Sequence, residues 1–210
     1  MKYAYMYVLD TMADWELALV TAQLNSGQYF KNAGTRLPVR TVGASKDRIT
    51  TLGGLTILPD LTVDEIAAEE SAILLLPGAN AWQDPKHKPV IEKAEHLLNA
   101  GGRVAAMCGA TAALAEFGLL DHRPHTSNAP EYLSMFCPAY KGSAHYKDEL
   151  VVSDGQLITA GATGGIPLAR EVISLLGVFR EDTLDAWYNY FSTGETRHFY
   201  ALMETMQPQA

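Results

Sequence analysis

The stretch Ser71 to Leu76 constrains this chain more than any other. Ala72, Ile73, Leu74, Leu75 and Leu76 follow one another without a polar break. A strand with one wet face alternates apolar and polar residues, so an unbroken apolar run closed by Pro77-Gly78 reads as a strand covered on both faces. That requires a parallel sheet between layers of helices. A second short run, Arg103 to Met107, is followed at once by Cys108-Gly109-Ala110 and a helical pattern to about Phe117.

The rest of the chain supplies the layers. Lys2 to Leu9 and Pro38 to Val42 read as strands. Asp14 is positioned to cap a helix through about Gln28, with Leu17, Val20, Thr21 and Leu24 on one face. Ile49 to Leu58 reads as a hairpin around Gly53-Gly54. Thr62 to Glu69 reads as a short helix, opened by a Thr62/Glu65 capping box, with Glu65, Glu69 and Glu70 on a solvated face. Helices are expected over Pro89 to Ala100, Asn128 to Met135 and Pro167 to Leu176, and a second hairpin around Asp154-Gly155. The tail from Asp182 to Met206 reads as one or two helices split near Thr193-Gly194. This alternation is that of a doubly wound, mostly parallel α/β sheet flanked by helices.

No internal repeat or long linker interrupts the 210 residues. The whole span 1–210 therefore reads as a single domain with a helical extension from about residue 182, long enough to bury roughly 70% of its extended surface. The net charge of -8 argues against nucleic acid and against a polybasic membrane anchor. No apolar run approaches the ~18 residues of a membrane span, and the N-terminus does not read as a signal peptide. With only Cys108 and Cys137, a reducing, cytoplasmic setting is expected, although a disulfide between them is an alternative.

In open parallel sheets, ligands bind beyond the carboxyl ends of the strands. Three such ends lead into Asp14-Trp15-Glu16, Pro77-Gly78-Ala79-Asn80 and Cys108. A side chain on a tight strand-to-helix turn is forced outward over a helix N-terminus, which favours thiolate. Cys108 is therefore the candidate nucleophile, with a pKa expected below about 7; the alternative is a buried structural thiol. Glu16 is either an acid favoured by the start of a helix or a buried, protonated partner of the sulfur. The amides of Gly78, Ala79 and Gly109 are candidate oxyanion donors. His125 and His145 are candidate pocket residues, although both read more simply as loop histidines. His122 and His125, three apart, lack further ligands nearby, so no metal site is expected. The glycine-rich run from Gly161 to Gly165 lacks a phosphate-binding lysine and reads as a tight connection. Trp187, Tyr188, Tyr190 and Phe191 read as core or subunit contact.

Three motifs together resemble the ThiJ/PfpI superfamily: Arg103-Val-Ala-Ala-Met-Cys108-Gly-Ala-Thr111, Leu75-Leu-Pro-Gly-Ala79 and Glu16. The segments Leu114 to Leu120 and Arg123 to Asn128 extend the likeness, which covers roughly Lys2 to Leu176. The resemblance implies a flavodoxin-like, class I glutamine amidotransferase-like fold. It implies Cys108 as nucleophile or oxidisable thiol, Glu16 as its hydrogen-bond partner, Asn128 as a pocket residue where some members carry His, and a cytoplasmic homodimer without a cofactor. Protease-like members carry His directly after the cysteine, where this chain has Gly109, and His198-Phe-Tyr200 does not supply an amidotransferase His-x-Glu. Proteolysis and glutamine hydrolysis are thereby disfavoured.

Two functions remain. One is a small-molecule thiol hydrolase, hydratase or glyoxalase-type enzyme acting on an electrophile through Cys108, with Glu16 moving the proton. The other is an oxidative-stress protein in which an oxidant modifies Cys108 without turnover.

Overall fold

The computed structural model describes residues 1–207. In chain order its main elements are β1 (Tyr3–Tyr7), α1 (Ala18–Ser26), β2 (Val39–Gly43), β3 (Ile49–Thr50), β4 (Thr56–Ile57), β5 (Leu61–Thr62) and β6 (Ser71–Leu76). There follow α2 (Lys88–Asn99), β7 (Val104–Met107), α3 (Gly109–Glu116), α4 (Pro130–Phe136), β8 (Val151–Ser153), β9 (Leu157–Ala160), α5 (Gly165–Leu176), α6 (Glu181–Thr193) and α7 (Thr196–Thr205).

Seven strands form one sheet in the order β5-β2-β1-β6-β7-β9-β8. Every neighbouring pair is parallel except β8 and β9, which form the expected antiparallel hairpin. The separate β3-β4 hairpin is also as expected. The apolar strand β6 occupies the centre, and successive side chains go to opposite layers. Leu74 and Leu76 pack with α2 and α3 residues such as Val90, Ile91 and Leu114. Ile73 and Leu75 pack with Leu17, Val20 and Leu24 of the α1 region and with Leu168 and Val172 of α5. All four β6 residues are fully buried. Each contributes roughly 2 kcal/mol of apolar burial before chain entropy is charged against it. The tail helices join the second layer through Leu184, Trp187 and Leu202.

Three local expectations change. Asp14 does not cap α1. The helix begins four residues later, at Ala18, and the Asp14 carboxylate instead accepts the Gly53 amide at 2.7 Å. The chain first forms a bridge between Met12 and Ala79, with Thr11 at φ 62°, and this turn delays the helix. The Thr62/Glu65 capping box is present, but it opens only a 3-10 turn, Val63–Glu65. Thr62 also belongs to β5, which pairs with β2 and fixes the sheet edge. Asn128 lies outside α4, which begins at Pro130, where the missing amide costs no helical bond. Both cysteines are free, so the disulfide alternative is not realised.

Candidate active site

The strand order puts β1, β6 and β7 side by side, so the segments beyond their carboxyl ends converge. Cys108 ends β7 with its amide bonded to Ala160 O at 2.9 Å, and α3 begins at the next residue. To make that reversal its backbone takes φ 51°, ψ -119°, a conformation that costs a non-glycine residue about 1–3 kcal/mol. The surroundings hold it there. The Cys108 carbonyl accepts both the amide and the hydroxyl of Thr111, at 3.0 and 2.6 Å, and the same hydroxyl pairs with Ser127 at 2.6 Å. Gly109 leaves no space for a side chain: a Cβ there would stand 2.7 Å from Ala79 O and 3.1 Å from Cδ1 of Trp82.

The bridge between Met12 and Ala79, with Ala13 N donating to Gly78 O at 2.9 Å, brings Glu16 to the turn after β6. Glu16 is 1% exposed. Its Oε2 accepts the Gly78 amide at 2.5 Å, and Oε1 is buried without a hydrogen-bond partner among the described residues, near enough to the Cys108 thiol that each influences the other's ionisation. Gly78 is wedged between the two groups. A Cβ on it would lie 2.6 Å from both Cys108 Cβ and Glu16 Oε1. Asn128 comes from the loop after α3 and donates from Nδ2 to Cys108 Sγ at 3.3 Å. Its Oδ1 accepts the Ala162 amide at 2.9 Å, so the glycine-rich connection after β9 serves to hold Asn128.

The electrostatics differ from the expectation of a thiol titrating below about 7. Burial pushes the Cys108 pKa up. The Asn128 amide opposes this, ionised Glu16 adds to it, and the Gly109 amide opposes it. Position at a helix end had suggested the opposite sign, but desolvation outweighs the first-turn amides here. Burial likewise pushes the Glu16 carboxyl up, against the pull of the Gly78 amide and the thiol. Two groups that both resist ionisation and repel one another's charge retain a proton at neutral pH.

Cys108, Glu16, Gly78, Ala79, Gly109 and Asn128 are therefore brought together, and His125 and His145 are not. Gly78 is present, but its amide is occupied by Glu16 and is not a free anion donor. His125 is fully buried rather than a surface residue, with Nδ1 on Arg123 O at 2.8 Å and Nε2 on the Tyr140 hydroxyl at 2.7 Å. His145 is exposed in the turn Ser143–His145. Neither imidazole bonds to the sulfur. Three neighbours had no sequence signal. Trp82 lies against Gly109. Tyr132 of α4 is close enough that the Cys108 and Glu16 charges add to the burial raising its phenol pKa. The third, His87, is buried beneath Trp82.

A flavodoxin-like parallel sheet, a cysteine at a strained strand-to-helix turn and a buried glutamate beside it define a protein of the ThiJ/PfpI type. The chain belongs to the DJ-1/PfpI family, whose model matches residues 2–175. It is 44% identical over 202 residues to the uncharacterized protease YoaZ of Bacillus subtilis (strain 168), covering 96% of each chain. A crystal structure of a ThiJ/PfpI family protein from Bacillus anthracis superposes with a TM-score of 0.94 at 45% identity, covering 97% of this chain and 96% of that one. Deglycase PfpI of Pyrococcus furiosus is 29% identical over 133 residues, covering 62% of this chain and 78% of its own.

Proposed function

We propose that the protein is a cysteine-dependent enzyme acting on a small electrophilic molecule, as a hydrolase, hydratase or glyoxalase-type catalyst. The observation that carries this reading is the buried Glu16 carboxyl. One oxygen is anchored by Gly78 N–H and the other is buried without a hydrogen-bond partner, beside a backbone-strained cysteine. In the proposed step the thiol proton passes to Glu16 Oε1 as Sγ bonds the electrophilic carbon. The electron pair of the attacked multiple bond moves to its outer atom. The Ala79 amide, which has no protein acceptor among the described residues, and the Gly109 amide, which faces the sulfur, hold that charge. Glu16 then returns the proton to the leaving or newly anionic atom.

One relative carries the name deglycase, which supports an enzymatic reading. Another carries the name protease, which this site supports less, since both nitrogens of His125 are engaged elsewhere. That same lack of an imidazole favours a second reading, reversible oxidation of Cys108 without turnover. Incubation with 2-oxoaldehydes, amides and isonitriles separates the two. Multiple turnover lost in both Cys108→Ser and Glu16→Gln supports the enzyme. Peroxide uptake of one equivalent at Cys108 with no turnover of any substrate supports the sensor. The partner is then a small molecule. A homodimer is the proposed assembly, tested by light scattering on the purified chain.

A further inference from the structure

Against Gly109, the residue after the cysteine, lies a cavity of about 690 Å³, bounded by the segment from Ala79 to Ile91, by α3 and by α4. Ala79 and Gly109 belong both to its wall and to the amide pair described above, so the cavity opens from the place where a bound electrophile's anionic atom would sit. Its inner surface is mainly apolar, from Trp82, Ile91, Ala112, Ala113, Tyr132 and Phe136. A space of this size suits a ring-sized ligand. A three-carbon aldehyde would leave most of it filled with water.

One polar group on this wall lacks a partner. His87 is 2% exposed, and its Nε2 has no hydrogen bond. Its Nδ1 meets the Tyr7 hydroxyl at 2.7 Å. Tyr7 is fully buried and has no other polar partner among the described residues. If Nδ1–H donated to the phenol oxygen, the phenol hydrogen would be buried without an acceptor. The fewest groups are therefore stranded when the phenol donates to Nδ1 and Nε2 carries the ring hydrogen. Burial lowers the His87 pKa, which keeps the ring neutral at pH 7. The ring is held edge-on to Tyr7, 5.7 Å between centroids, and to Trp82, 5.9 Å. Trp82 is fixed by its own Nε1–H to Pro77 O at 2.8 Å. Nε2 is itself almost wholly covered, so a ligand acceptor meets it only with a small shift of the wall, and that contact would recover the free energy a buried, unpaired donor costs.

We propose that this cavity is the substrate-side-chain site of the Cys108 enzyme. It would take electrophiles bearing an aromatic or bulky apolar substituent with a hydrogen-bond acceptor at the far end, received by His87 Nε2–H. The inference rests on the reading of Cys108 as nucleophile and adds its substrate class. It also gives Gly109 a reason: a side chain directly after the cysteine would collide with Trp82 and Ala79 at the cavity mouth.

The test uses three reagents with one reactive group: iodoacetamide, its N-phenyl derivative and its N-(4-acetylphenyl) derivative. Rates of Cys108 labelling are read by intact mass. In the wild type the phenyl reagent should exceed iodoacetamide by about tenfold and saturate, and the acetyl group should add about a further fivefold. Ala113→Phe, which fills the cavity, should bring the phenyl-to-iodoacetamide ratio close to one. His87→Phe should remove only the acetyl increment. Because it strands the Tyr7 hydroxyl, the pair Tyr7→Phe/His87→Phe is measured beside it. Equal rates for all three reagents, or a ratio untouched by Ala113→Phe, would overturn the cavity assignment while leaving Cys108 as nucleophile. Failure of every reagent to label Cys108 would overturn the parent reading. The cavity is then judged by ligand-observed NMR with 4'-acetylacetanilide: binding lost in Ala113→Phe upholds it, and no binding to the wild type refutes it.

Discussion

Replacing Gly78 by alanine tests the geometry of the site most directly. Its backbone does not need glycine's conformational freedom, so the substitution acts only through the added methyl. That methyl would stand 2.6 Å from Cys108 Cβ and 2.6 to 2.7 Å from the two Glu16 carboxylate oxygens. None of the three atoms yields easily. The Cys108 Cβ is fixed by a strained backbone, and the carboxylate is tied to the Gly78 amide at 2.5 Å. Overpacking in such a place costs about 1–3 kcal/mol. Pushing the carboxylate off its amide forfeits a charge-assisted bond of about 1.5–3 kcal/mol. Since the two losses relieve one another, a total of about 3 kcal/mol is expected, a fall in Tm of roughly 6–12 °C for a chain of this length. Differential scanning calorimetry measures it, and iodoacetamide labelling reports the displaced sulfur. In a Glu16→Ala background, which removes one of the two obstacles, part of the penalty should vanish as a coupling energy. A Gly78→Ala protein that melts within a degree or two of the wild type and labels at the same rate would refute the wedge.

Other outcomes follow from the same contacts. Asn128→Ala removes the donor at 3.3 Å from the sulfur and should raise the thiol pKa, slowing labelling at neutral pH about fivefold, the worth of a bond of ~1 kcal/mol; absorbance of the thiolate against pH checks it. Glu16→Gln removes a charge that opposes thiol ionisation, so the Cys108 pKa should fall, read by the same absorbance. Because burial raises the folded-state pKa of Glu16 above its ordinary 4.5, its stabilising contribution is complete below that value and is lost as pH rises through the folded value. The Tm of Glu16→Gln relative to wild type should therefore climb with pH, and a flat or falling difference would contradict the shift. Cys137, whose thiol is pushed up to about 11 by burial and bonded to Ala112 O at 3.2 Å, should stay unlabelled at pH ~8 until the protein is unfolded.

What the chain discloses and what it conceals divide along a physical line. An unbroken apolar run can lie only between two layers, so β6 revealed the parallel sheet and its helices. A small-residue turn after a short apolar strand announced the Cys108 elbow. Features set by distant partners were hidden. Asp14 has the chemistry of a helix cap, but its carboxylate meets Gly53, 39 residues on. β5 is two residues long and exists only because β2 lies beside it. His87 and Trp82 sit in a segment of ordinary polar composition, and their meeting with Tyr7 is made by the sheet. The sign of the thiol shift was missed for the same reason: the helix end is visible in one dimension, whereas burial beside an acid exists only in three.

Of the three tryptophans, Trp15 faces solvent and Trp187 is packed in the layer on the other side of the sheet. Only Trp82 rests against the residue following the cysteine, with its indole nitrogen pinned to the main chain. The fold has thus installed a fluorophore at the turn that carries Cys108, and whatever alters the thiol or enters beside it should be announced by the protein's own emission.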